Sequence, residues 1–140
     1  MTYTLLEQHL SPDFLTADEL RPLSYEIAAR AFYRRLAAAF PASEDRFAFE
    51  VQVDRAEIVP VDNEHDSFRL ERDVPDVEVS NASRVVEATY SDADGCGVNV
   101  LVHFVGARIN WAERFRDMGD PIKTWPPNEG VPLKFPKRRE

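Results

Sequence analysis

The sequence predicts an α+β domain, with N-terminal helices packed on one face of an antiparallel β-sheet that runs as a meander. Three observations predict it. Between Ile27 and Ala39 the apolar residues recur at three- and four-residue spacing, the period of a helix with one buried stripe. Beyond Pro41 the period falls to two, and the clearest alternating runs are joined by short Asp- and Gly-rich turns. Helices precede strands instead of alternating with them, so the layers are segregated. At 140 residues the chain fits one domain. Residues 1–41 form the helical part, 44–125 the sheet, and 126–140 an extended Pro-rich and basic tail.

In chain order, Thr4–Glu7 and Thr16–Glu19 fit the capping-box pattern, and Ser11-Pro12 suits a helix start with Pro at the first helical position. The strongest helix begins near Ser24. Its stripe is Ile27, Ala28, Ala31, Phe32, Arg35, Leu36 and Ala39, with Glu26, Arg30 and Arg34 largely opposite. Pro41 ends it and biases Phe40 toward extended geometry. Phe47, Phe49, Val51 and Val53 alternate with Ala48, Glu50 and Gln52, the pattern of a half-buried strand. Ala56–Val61 continues or pairs with it, Asp62–Asp66 is a polar loop, and Phe68 and Leu70 mark a short strand. Residues 73–83 read as a long irregular connection. Arg84–Ser91, Gly97–Val105 and Arg108–Arg116 are strands. They are joined by the turns Asp92-Ala93-Asp94-Gly95 and Gly106-Ala107. Their expected faces are Val86, Ala88 and Tyr90; Val98, Val100, Val102 and Phe104; and Ile109, Trp111 and Phe115. Apolar residues on both sides of the second strand make it central and covered on both faces.

Composition excludes several classes. Hydrophobic residues make up 44% of the chain, too many for a disordered one. One cysteine, Cys96, rules out an internal disulfide and suits a reducing compartment. The N-terminus has no basic start with an apolar run, and no stretch is apolar enough to cross a membrane. A cytoplasmic protein with no membrane partner is expected. The charge is uneven. Residues 43–94 hold 15 acids and 5 arginines, a net of −10, against −1 before them and +3 after, which sum to the −8 of the whole chain. That balance works against nucleic-acid binding, for which the only basic run is Lys134–Arg139.

No recognised catalytic motif is present, and no cofactor is implied. Asp92–Gly95 fails as a calcium loop, because Tyr90 and Leu101 would stand where oxygen ligands are required. Asp62, Glu64, His65 and Asp66 are read as a solvated loop in preference to a metal site. Cys96 has no signature around it, and His103 lies seven residues on. Trp125, flanked by Pro126 and Pro127, either anchors a partner or folds back to close the core; the second reading is favoured.

One block resembles a known group. Val85–Ala88, Asp92–Gly95, Val98–Phe104, Gly106–Ile109 and Arg116–Ile122 resemble small bacterial single-domain proteins that are themselves similar to immunity proteins of bacterial toxin systems. Leu20–Ser24 adds a matching helix entry. The resemblance implies an α+β fold more than an activity. Together with the acidic middle, it implies a non-enzymatic protein that occludes the basic active-site surface of a cognate toxin. Asp62, Glu64, Asp66, Glu71, Asp73, Asp76 and Glu78 are the expected contacts. The alternatives are a small enzyme or ligand-binding domain with a pocket between helices and sheet, near Tyr90 and His103, or an interaction domain, including a homodimer through an exposed sheet edge.

Overall fold

The computed structural model describes residues 17–78 and 85–136. The expected helix starts at Thr4 and Ser11, the connection at 79–83 and the end of the basic tail lie outside the described residues. Helix α1 spans Ala17–Arg35, from the first described residue, and tightens into a 3-10 turn over Leu36–Ala39. Phe40 is extended, at φ −92° and ψ 127°, as the following proline requires. The core face of α1 is rotated from the expected stripe. It is built by Ala29, Phe32 and Tyr33 and continues through Leu36, Ala37 and Phe40, whereas Ile27 is 69% exposed. Tyr33 takes a core position because its hydroxyl finds a buried acceptor, Asp66.

Phe47–Val53 is not a strand. Residues Ser43–Arg55 form helix α2. Its buried residues Ala48, Phe49, Gln52 and Val53 follow helical spacing, and Phe47 stands 64% exposed. Glu44 and Asp45 in its first turn and Arg55 in its last suit the helix dipole.

The sheet has five antiparallel strands in the order β1-β2-β5-β4-β3: Glu57–Pro60, His65–Arg69, Val85–Ser91, Gly97–Val105 and Arg108–Arg116 in chain order. It is not a strict meander. The β1–β2 hairpin leads to the far edge, and β3, β4 and β5 return so that β5 closes against β2. The last three strands and both turns lie where the sequence set them. Gly106 turns at φ +62° and Gly95 at φ +86°.

Among the described residues, helices cover one face only. The opposite side of β4 is half-exposed at Asn99, Leu101 and His103 and open at Val105, so β4 is paired on both edges without being covered on both faces. The sheet edges are guarded. Thr89 of β3 exchanges backbone hydrogen bonds of 2.8 Å with Lys134, and β1 is four residues long and ends in Pro60.

One irregularity decides the interior. Phe104 faces Ile109, but His103 faces Trp111, so Asn110 is an extra residue in β5. The bulge reverses the alternation behind it. Ile109 is buried, yet Trp111 and Phe115 emerge on the open face, and Ala112, Arg114 and Arg116 turn inward.

Candidate functional site

The bulge turns two arginines inward, and each meets an aspartate. The Arg114 guanidinium pairs with Asp66 at 2.9 Å, with the two side chains 3% and 0% exposed. Asp66 also accepts from the Tyr33 hydroxyl at 2.6 Å and the Tyr25 hydroxyl at 2.8 Å, and Tyr25 in turn accepts from the Trp125 indole N–H at 2.8 Å. Arg114 lies over the Trp125 ring, 4.4 Å from its centroid, and donates to the carbonyls of Asn63 and Asp62. Burial raises the Tyr25 and Tyr33 phenols far above their ordinary value, so both stay neutral donors. Trp125 therefore closes the core, packed edge-on to Phe32 at 5.0 Å.

Arg116 bridges Asp92 at 3.0 Å and Asp94 at 2.8 Å. Asp92 further accepts the backbone N–H groups of Lys123, Thr124 and Ala93. Burial alone would raise its carboxyl, but these donors and Arg116 hold it below the usual carboxylate range. The Arg116 hydrogen bond and the Cys96 N–H do the same for Asp94.

The two pairs fix the β1–β2 turn and the segment 119–125 on either side of a cleft of about 800 Å³. Its lining includes Tyr25, Asp62, Glu64, Arg114, Ile122, Lys123 and Trp125. The space between helices and sheet near Tyr90 is filled. Tyr90 packs against Phe32 and donates to the Thr124 carbonyl, while His103 lies on the opposite face, stacked on Trp111 at 3.9 Å and bonded to Glu113. The expected pocket joining Tyr90 to His103 does not form, because alternate faces of paired strands separate them. Cys96 is half-buried just before β4, with His103 about 20 Å away along the strand.

The structure divides the seven expected contact residues. Asp66 is wholly buried in the Arg114 pair and is not a surface contact. Asp62 and Glu64 sit on the exposed β1–β2 turn, where Asp62 accepts the Glu64 N–H and the His65 ring at 2.8 Å each. The Glu64 N–H and His65 hold the Asp62 carboxyl below its ordinary range. Glu71, Asp73, Asp76 and Glu78 lie past the other end of β2, about 20 Å away, so the acids form two patches instead of one belt.

The second patch is an exposed strap tied down along its backbone. Arg108 donates to the carbonyls of Glu71 and Arg72, and Arg55 to that of Asp73. The buried Gln52 amide donates to the carbonyls of Pro75 and Ala107, and its oxygen accepts the Ile109 N–H. Val77 is fully buried and its N–H bonds the Ala107 carbonyl at 3.0 Å. None of the four strap carboxylates is in an ion pair with a described residue. By contrast, Glu26, Glu50, Asp54, Glu57, Asp66, Asp92 and Asp94 each have an arginine. Among the described residues no three His, Cys, Asp or Glu side chains converge as a metal site, and no helix is long and apolar enough to cross a membrane.

No family model, curated protein or solved structure matches the chain. Its geometry therefore carries the functional reading. Arg114, Arg116, Tyr25 and Gln52 were missed as organisers of these surfaces. The signal in sequence is the alternation Ala112, Arg114, Arg116 behind Asn110, which places two cations on a core face.

Proposed function

We propose that this chain is a non-enzymatic binding protein for a basic protein surface. Its most concrete form is an immunity protein that occludes the basic active-site surface of a cognate bacterial toxin. The observation that carries the reading is the strap: four exposed carboxylates, unpaired among the described residues, on a backbone held by Gln52, Arg55, Arg108 and Val77. A partner's cations would meet carboxylates that need break no existing pair. The fixed backbone leaves little loop entropy to lose on binding. The excess of negative charge would steer a basic partner and raise its association rate by about 10- to 1,000-fold at low salt.

Glu71, Asp73, Asp76 and Glu78 are the contacts in this reading. Asp62 and Glu64 belong to the separate patch at the cleft. The test is the affinity of the purified partner for the wild type and for the triple variant Asp73→Lys/Asp76→Lys/Glu78→Lys. These side chains are exposed, so the variant should melt with the wild type and bind at least about 100-fold more weakly, since each close charge pair is worth roughly 1.5 kcal/mol or more. Unchanged affinity would remove the strap from the interface.

A further inference from the structure

The open face of the sheet is used neither by the described helices nor by the strap. We propose that it binds a second copy of this chain, face to face, in a two-fold symmetric dimer. The inference stands apart from the partner reading, because the strap lies past the end of β2 and not on this face.

An antiparallel sheet that shows one face to water usually carries polar side chains there. This one carries Val59, Leu101, Trp111 and Phe115, with Val105 at the end of β4. Phe115 is 41% and Val105 65% exposed. Leu101 and Trp111 are half-buried with no layer above them among the described residues. The sheet edges offer a second copy less. Lys134 holds Thr89 of β3, the Glu26 carboxylate accepts the Ile58 N–H of β1, and Pro60 has no N–H to give.

Size and charge both favour a copy as the occupant. Five strands about 4.8 Å apart, with β4 and β5 nine residues long, make a face of roughly 20 by 30 Å. Two such faces would bury about 1,200 Å², which reaches the range of specific interfaces. The strand register sets His65, Glu113, Leu101 and Glu87 in one row across the sheet, and Ser67, Trp111, His103 and Val85 in the next. A dyad along the strands, between β5 and β4, lays each row on its own reverse. Glu87 then meets His65 of the second copy, and Trp111 meets His103 of the second copy. Stacked sheets lie about 10 Å apart, a gap that a glutamate and a histidine span together. Within one chain Glu87 has no ion pair with a described residue. The His65 ring is held through Nδ1 by Asp62, and Nε2 has no described partner. In its protonated form the ring donates to Asp62 through one nitrogen and to Glu87 of the second copy through the other. Glu113 enters the contact already bonded to His103 at 2.8 Å, so it is not buried bare.

The experiment is sedimentation equilibrium of the full chain. The expected result is a monomer–dimer equilibrium with a Kd of about 10 μM, as suits an interface of this size. Trp111→Ala should weaken it at least about tenfold, because aromatic anchors near an interface centre carry much of its energy. Phe47→Ser, on the helical side, should leave it unchanged. His65→Glu and Glu87→Arg should each weaken it at least about fivefold, and an equimolar mixture of the two should dimerise more tightly than either alone, because the mixed pair sets the new cation against the new acid. This pair keeps the test open where Trp111→Ala disturbs the sheet itself. A chain that stays monomeric at about 200 μM leaves the face to residues 1–16 or to another protein and overturns the proposal. A dimer indifferent to Trp111→Ala, a dimer lost in Phe47→Ser, or a mixture no tighter than its components overturns it as well.

Discussion

Replacing Asp66 with alanine tests the interior most severely. The substitution strands the Arg114 guanidinium, 3% exposed, and removes the acceptor of two tyrosine hydroxyls. Breaking a buried ion pair by deleting one partner costs about 3–5 kcal/mol, and each stranded hydroxyl costs about 1–3 kcal/mol. The contributions overlap, since Tyr25 keeps its bond from Trp125 and Arg114 keeps its carbonyl acceptors, so the expected loss is about 4–6 kcal/mol. For a domain whose whole stability is about 5–15 kcal/mol this approaches unfolding at room temperature. In urea denaturation followed by circular dichroism, a slope of about 2 kcal/mol/M converts the loss into a midpoint lower by about 2–3 M. Asp66→Leu combined with Arg114→Met removes both charges together. It should recover at least about 2 kcal/mol relative to the sum of the single variants. A loss below about 1 kcal/mol for Asp66→Ala, or single effects that add within about 0.5 kcal/mol, would refute the reasoning.

Phe49→Ala should cost about 3–5 kcal/mol and Phe47→Ser less than about 0.5 kcal/mol, because helix α2 buries one ring and exposes the other; equal costs in urea melts would restore the strand reading. The Asp92 carboxyl is held below its ordinary value of 3.8, so its contribution to stability is complete above that pH and is lost as pH falls through the lowered value. Thermal melts should therefore show stability falling between about pH 4 and pH 2, with a shallower fall in Asp92→Asn; identical slopes would contradict the role given to Asp92. Burial lifts the phenols of Tyr25, Tyr33 and Tyr90 above 10.0, so their contributions are complete below that pH and are lost as pH rises toward the raised values. An ultraviolet titration of the folded chain should show at most one of its four tyrosines ionising below about pH 11; ionisation of three there would refute their burial.

What the sequence revealed follows from how local each signal is. Strands β3, β4 and β5 were legible because their alternation and their turns, Asp92–Gly95 and Gly106-Ala107, lie within a few residues of one another. Helix α2 was not, because Phe47–Val53 alternates as a strand does while Ala48, Phe49, Gln52 and Val53 also make a helical face. Only packing against Phe40 and Phe104 selects the second arrangement. The pairing of β2 with β5 joins residues more than 40 positions apart and leaves no local trace. The bulge at Asn110 compounds this, since one inserted residue exchanges Trp111 and Phe115 for Arg114 and Arg116 in the interior. For the site, the acidity of the strap and the turn was legible, but the burial of Asp66 was not: it depends on Tyr25 and Tyr33 from helix α1 and Arg114 from β5, two distant parts of the chain.

The functional claim is electrostatic, and the rate at which the partner associates tests it most directly. Stopped-flow association of the purified partner should slow at least about tenfold between about 20 and 200 mM salt for the wild type, and the strap variant Asp73→Lys/Asp76→Lys/Glu78→Lys should associate slowly at both. Equal rates for the two proteins, insensitive to salt, would contradict the account.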